Sequence, residues 1–331
     1  MTGGENRIGK CLERRNWILY KRKSIFYLLV ILCIFLFIGG CTTADDQNQP
    51  KTDEQAVDIV VTDDFGNQVK LDHYPERIVS LVPSNTEILF ALGLGEKVVG
   101  VTTYCDYPEE AKDKPKIGDL TGNVEEIVAL EPDLVLAKGI LNDDAVNKLR
   151  KLDIPVLCLD PESIEGVYRA IELIAQATGT NDKGEEIIGE MKKKIDSVEK
   201  KVAKIPAEER LRVFIEVGSD PLYTAGKDTF VHELVTLAGG INIADELSGY
   251  QIYSSEAVVK NNPDVILSAD SYYVDIKQEI KKRAGWEEIN AVQEGKVIYE
   301  LDTNLLNRPG PRSALALELI AKALYPEIFQ D

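Results

Sequence analysis

The chain is short of the residues that most often carry chemistry. It holds two histidines, five cysteines and two tryptophans among 331 residues. His73 falls in a turn between a hairpin and a strand, and His232 lies inside a helical stretch. A histidine-based metal site is therefore not expected, and both residues read as structural or surface groups. No Walker A loop, H-E-x-x-H, G-x-S-x-G or C-x-x-C occurs anywhere. Gly93 and Gly95 form a G-x-G, but they end a helix instead of joining a strand to one, which removes a dinucleotide reading. An enzyme would need a titratable cluster, and none is evident. No catalytic residue, metal site or resident cofactor is expected.

Positive charge is also scarce. The formal net charge is −18, from 38 Lys and Arg against 56 Asp and Glu. The first 40 residues hold seven of those cations and only two of the acids, so the remainder carries −23. Such a body repels nucleic acid and anionic headgroups, and neither is an expected partner.

Long apolar runs are missing too. The longest, Ile25–Ile38, has 14 residues, against the roughly 20 that a spanning helix needs. It follows Arg14, Arg15, Lys21, Arg22 and Lys23 and precedes Gly39-Gly40-Cys41. A basic region, an apolar run and small residues before a break describe a signal peptide over residues 1–40. Its I-G-G-C end resembles a bacterial lipobox, which implies lipidation of Cys41. Residues 41–57 are polar and read as a flexible tether. The expected location is extracytoplasmic, held to the cell membrane by the lipid anchor only, an arrangement best suited to a Gram-positive cell. Cys11 and Cys33 leave with the signal. Cys105 and Cys158 remain, and their spacing gives no warrant for a bridge, so two separate, partly buried thiols are expected.

What is present is α/β rhythm around one long helix. In Asn181–Ala203 the apolar residues Ile187, Ile188, Met191, Ile195, Val198 and Val202 recur every three or four positions. Asn181 is placed to cap the start, and Pro206 stops the run. At 1.5 Å per residue the rod is about 35 Å long. On either side stand similar units. Glu125 and Glu256 each precede a proline, Pro132 and Pro263, by seven residues, and each proline is followed by Asp and a buried strand. The expected fold is α/β, with an N-terminal lobe over 58–180, a linking helix over 181–204 and a C-terminal lobe over 205–331. Ser84-Asn85-Thr86-Glu87 reads as a capping box opening a helix at Glu87. Gly218–Lys227 reads as a loop, and Trp286 as part of an outer helix.

Ligands of open α/β sheets sit beyond the carboxyl ends of the strands. Loops Pro83–Asn85, Thr103–Pro108, Gly218–Tyr223 and Asp302–Arg312 occupy that place. They carry Tyr104, Tyr107 and Tyr223, with Tyr250 and Tyr253 nearby, suited to a large flat or polycyclic ligand. In Asn307-Arg308-Pro309-Gly310-Pro311-Arg312 the prolines stiffen a loop that would aim Arg308 at a carboxylate or phosphate, with Arg312 bracing the next helix. Asn304, in the same loop, is a further candidate contact.

Six segments make a resemblance: RIVSLVPSNTEILFALGLGEKVVGVT, TYCDYP, NVEEIVALEPDLVLA, DPLYTAGKDTFVHELVTLAGGINIAD, SSEAVVKNNPDVILSAD and NRPGPR. Together, over roughly Asp58 to Phe329, they resemble the substrate-binding proteins of ABC importers for cobalamin and ferric siderophores. The resemblance implies two Rossmann-like lobes joined by one rigid helix, as in class III periplasmic binding proteins. It implies a small-molecule ligand, a corrinoid, ferric siderophore or haem, bound unchanged, and an ABC permease homodimer with its ATPase subunits as partner. TYCDYP and the NVEEIVAL segment lean towards the cobalamin branch, in which Tyr104, Tyr250 and Arg308 match positions that contact the corrinoid. Corrinoid binders often press tryptophans on the ring, and here Asp119 and Leu120 stand where an aromatic is expected. The family uses glutamates at the positions of Glu125 and Glu256 to dock onto arginines of the two-fold symmetric permease.

Overall fold

The computed structural model describes residues 58–269 and 276–329. Cys41, the signal segment and the tether lie outside these residues. The first elements are a hairpin, β1 (Ile59–Thr62) and β2 (Gln68–Leu71), whose turn is held by Asp63 accepting from the backbone of Phe65 and Asn67. Then follow β3 (Ile78–Ser80), α1 (Pro83–Ala91), β4 (Val98–Val101), α2 (Val124–Ala129), β5 (Leu134–Ala137), α3 (Asp143–Arg150), β6 (Val156–Cys158) and α4 (Ile164–Thr178). The four strands β3 to β6 pair in the order β4-β3-β5-β6, all parallel.

The long helix, α5, spans Asn181–Val202, and its six apolar stripe residues are all buried. Its N-cap is Thr180, with no side-chain cap bond, so Asn181 is the first helical residue and not the cap. The preceding Gly179 ends α4 in the left-handed region at φ 71°, a conformation glycine adopts without a Cβ penalty, and this lets α5 start two residues later.

The second half contains β7 (Arg212–Ser219), β8 (Leu222–Ala225), α6 (Phe230–Leu237), β9 (Ile241–Asn242), β10 (Tyr250–Ile252), α7 (Ser255–Asn261), β11 (Val265–Ser268), α8 (Ile276–Lys282), α9 (Asn290–Gln293), β12 (Val297–Ile298), α10 (Thr303–Asn307) and α11 (Ser313–Leu324). Its sheet runs β10-β8-β7-β11-β12, with β9 also on β7. The expected loop at Gly218–Lys227 is instead half of a β-hairpin. β8 turns back antiparallel on β7, and β10 adds antiparallel to β8. This sheet is therefore mixed.

Strand alternation explains the layering. Ile78, Leu134, Leu136, Val213, Ile215, Val265 and Leu267 face the large core that includes the α5 stripe. Their neighbours face smaller cores on the other sides: Val79, Val135 and Ala137 in the first half, Phe214 and Ile266 in the second. A parallel sheet covered on both faces reads as a continuous apolar run for this reason. The large core is continuous from β1 through α4, α5 and α11. Burial along α5 thus joins both sheets to one rod.

Trp286 is not on an outer helix. It is fully buried in a 3₁₀ turn, edge-on to Phe214 at 6.0 Å, and its Nε1 donates to Ser255 Oγ at 2.6 Å. Cys105 and Cys158 are both buried and free, as expected of separate thiols. Burial pushes the Cys158 thiol up to about 11, which leaves it protonated and unreactive at neutral pH.

The internal repeat is exact in its bonding. Just beyond α2 and α7, Glu131 and Asn262 are both left-handed, at φ 47° and 41°, and are followed by Pro132-Asp133 and Pro263-Asp264. Asp133 accepts from the backbone N–H of Arg77 at 3.0 Å and returns its own N–H to the Arg77 carbonyl. Asp264 does the same to Arg212, at 2.9 and 2.8 Å. Each Pro-Asp therefore clamps the start of its own strand, β5 or β11, to the start of the neighbouring parallel strand, β3 or β7.

Candidate functional site: the loops between the two sheets

The loops at the carboxyl ends of the strands bring residues 200 positions apart into contact. The first is Thr103–Pro108, after β4. Cys105 is buried, with its sulfur 3.2 Å from both Thr86 Oγ1 and Thr102 Oγ1, and it pins the loop from below. Tyr104 beside it projects outward, 53% exposed. Tyr107 is also exposed, and Arg312 stacks on its ring at 3.9 Å.

Glu87 is the residue that sequence reasoning misplaced. It is not the far half of a capping box: α1 begins at Pro83 with Val82 as N-cap and no side-chain cap bond. Its carboxylate, 2% exposed, instead accepts from Arg312 Nε at 2.7 Å and Arg312 Nη2 at 2.6 Å. Arg308 Nη1 adds a contact at 3.4 Å. Arg308 Nη1 also donates to Asp106 Oδ1 at 2.5 Å, and its Nη2 donates to the Tyr104 carbonyl at 3.2 Å. Arg312 Nη1 lies 3.7 Å from Asp302. This cluster ties the N-terminal half to the C-terminal half by side chains, while α5 ties them by backbone.

The electrostatics follow from that packing. Burial alone would raise the Asp106 carboxyl, but its hydrogen bond and charge attraction to Arg308 outweigh it and hold the group below its ordinary range. Burial alone would lower the Arg312 guanidinium, and its bond and attraction to Glu87 reverse the sign. The sequence signal for this cluster was the NRPGPR loop. Its carboxylate partners were not readable, because no local rule connects positions 221 and 225 residues apart.

The other candidates lie in the C-terminal half, on β8, β10 and α10. The β8/β10 register sets Tyr250 opposite Ala225 and Ile252 opposite Tyr223. Strand alternation puts Tyr223 and Tyr250 on one face as diagonal neighbours. Tyr250 is 53% exposed, and its phenol is raised by surrounding protein and by the charge of Glu162, which precedes α4. Asn304 is half-buried in α10, which also includes Thr303 to Asn307 of the expected loop, and its carbonyl accepts from the Arg308 N–H at 3.0 Å. Tyr253 is buried, bonded to Asn261 Nδ2 at 2.9 Å, and does not face the loops. His73 is on the surface against Asp72, which raises its pKa, and His232 is bonded to Asn242. A cavity of about 550 Å³ lies beside the ion cluster, among Phe90, Tyr107, Pro108 and Pro311. Glu87, Tyr107 and Arg312 of the ion cluster line it, whereas none of Tyr104, Tyr223, Tyr250, Asn304 or Arg308 does.

Glu125 and Glu256 occupy equivalent places at the starts of α2 and α7. Each is the second residue of its helix, behind an N-cap, Asn123 or Ser254, whose side chain accepts a backbone N–H. Both are exposed, and neither carboxylate has a hydrogen-bond or ion-pair partner among the described residues.

Two α/β sheets on one long helix, with aromatic and charged loops facing each other, define a class III solute-binding protein. The chain belongs to the periplasmic binding protein family, whose model matches residues 78–303. It is 40% identical, over 94% of its length and 99% of the other's, to the uncharacterized ABC transporter substrate-binding lipoprotein YvrC of Bacillus subtilis. Among solved structures it resembles a possible iron-binding periplasmic solute-binding protein of Staphylococcus epidermidis (35% identity, TM-score 0.69, 76% of this chain and all of the other). It also resembles the periplasmic vitamin B12-binding protein of Vibrio cholerae (30% identity, TM-score 0.67, 77% of this chain and 99% of the other). The family binds and does not transform, so the chain is a transport component and not an enzyme.

Proposed function

We propose that the chain is the substrate-binding lipoprotein of an ABC importer, and that it captures a corrinoid between its lobes for delivery to the permease. One observation carries the reading: Tyr104 after β4 on one half and Tyr250 at the start of the edge strand β10 on the other are large, half-exposed aromatics, and Tyr250 lies within electrostatic reach of Glu162 on the first half. Exposed phenols on two facing surfaces suit a large ring system with polar edges. Tyr223, Asn304 and Arg308 complete the ligand set. The similarity to a vitamin B12-binding protein supports the choice. A ferric siderophore or haem is the second reading. The buried position of Trp286 and the similarity to a possible iron-binding protein favour it. Calorimetry with cyanocobalamin, haemin and a siderophore panel separates them. One-to-one binding of cyanocobalamin is expected, with Tyr104→Ala and Tyr250→Ala each costing about 1–3 kcal/mol. Silence with every compound would reject the proposal.

The lipobox-like segment supports anchoring through Cys41, with the ligand-binding body outside the membrane. Cys41→Ser is expected to abolish fatty-acid labelling and release the protein from the membrane fraction. A variant that still labels and still sediments with membranes would overturn the anchor.

A further inference from the structure

Arg308 is the cation a bound solute would most readily use, yet both of its terminal nitrogens already carry partners. Nη1 meets Asp106 at 2.5 Å and Glu87 at 3.4 Å, and Nη2 meets the Tyr104 carbonyl. The two carboxylates are not equivalent. Glu87 is sealed in and committed to Arg312 through both oxygens. Asp106 is the outer partner, with 47% of its side chain exposed. A solute approaching Arg308 therefore has to compete with Asp106.

The surrounding charge does not help an anion. Two guanidiniums, Arg308 and Arg312, face three carboxylates: Glu87, Asp106 and Asp302. Lys138, after β5, is paired with Asp160 at 3.3 Å. Glu162 lies near enough to Tyr250 to act on its phenol. A ligand whose carboxylate takes Arg308 Nη1 has to displace Asp106 and then sit beside that carboxylate, and the two like charges repel. A neutral ligand leaves the cluster intact.

The geometry points to Asp106 as a specificity-determining residue: by occupying Arg308 it turns the cleft against carboxylate-bearing ligands and towards neutral or cationic ones. This rests on the proposed function, that the solute binds between the lobes. Haemin, with two propionates, and cyanocobalamin, neutral overall, are the probes. Both are titrated into the wild type, Asp106→Asn and Asp106→Glu. In Asp106→Asn the ratio of haemin to cyanocobalamin affinity is expected to rise at least tenfold. Asp106→Glu retains the charge, and its ratio is expected to stay near that of the wild type. An Asp106→Asn ratio unchanged within twofold, or shifted towards cyanocobalamin, overturns the inference while leaving the binding function standing. Equal shifts in both variants would also overturn it, since packing and not charge would then be the cause. Wild-type protein that binds neither probe would reject the corrinoid and haem readings of the proposed function, and the inference with them. Circular dichroism melts of all three proteins show whether each variant is folded.

Discussion

Glu87→Ala is expected to lower the melting temperature by about 10 °C. The substitution removes a carboxylate that is almost wholly buried and leaves two guanidiniums, Arg312 and Arg308, with 17% and 11% of their side chains exposed. Breaking a buried ion pair from one side costs about 3–5 kcal/mol, because the remaining charge is desolvated without a partner. For a body of this size each kcal/mol moves the midpoint by roughly 2–4 °C. The pair's net worth against an apolar replacement is a separate matter and can be small. Asp302 offers Arg312 only a 3.7 Å contact in compensation, and Asp106 already serves Arg308. Calorimetric melts of the wild type and the variant decide it. A loss under about 2 °C would mean that water screens the cluster, and the side-chain tie between the halves would be energetically idle.

The double variant Glu125→Ala with Glu256→Ala is expected to abolish most uptake while ligand affinity and melting temperature stay close to wild type. Both glutamates are exposed at the second position of short helices, where a carboxylate near the helix N-terminus is worth only about 0.3–1 kcal/mol. Asn123 and Ser254 already cap those helices, so folding does not need the carboxylates. The matched clamps Arg77–Asp133 and Arg212–Asp264 fix each helix against its own sheet, and α5 fixes the two sheets against each other. Two negative charges at a set separation suit a two-fold symmetric partner that offers one cation per subunit. Desolvated pairs at an interface are worth several kcal/mol where exposed ones are worth little. Single variants should give partial defects, and reversal to Arg a deeper one. Normal transport by the double variant, with wild-type affinity for the permease, would reduce both residues to helix starts.

The sequence made the periodic parts of this fold legible. The α5 stripe, the Pro-Asp strands and the hairpin at Asp63–Asn67 are each set by contacts within a few residues or by burial on one face. The C-terminal hairpin was not legible. Gly218, Asp220 and Pro221 look like loop residues, and the pairing of β8 with β7 depends on a partner strand that the local pattern does not announce. Glu87 failed for a related reason. Its spacing from Ser84 satisfies the capping rule, but Pro83 lets the helix start earlier, and two arginines more than 220 residues away take the carboxylate. The burial of Trp286 was not legible either, because Phe214 and Ser255, which form its site, come from a distant strand and helix. Of the candidate residues, Tyr104 does follow a strand, β4, whereas Tyr223 and Tyr250 lie within β8 and β10, and Tyr253 is buried. The occupation of Arg308 by Asp106 was not, since it is a contact across the two halves.

The cargo itself is the most direct test of the account. The full chain, purified from the cell that makes it without added ligand, is to be examined by its visible spectrum and by its cobalt and iron content. A corrin spectrum with close to one cobalt per protein is the result predicted here. A Soret band or a ferric charge-transfer band with iron in place of cobalt would contradict the corrinoid assignment, and the Soret band, as the mark of a propionate-bearing haem, would also contradict the reading of the cleft as one that turns carboxylate-bearing ligands away.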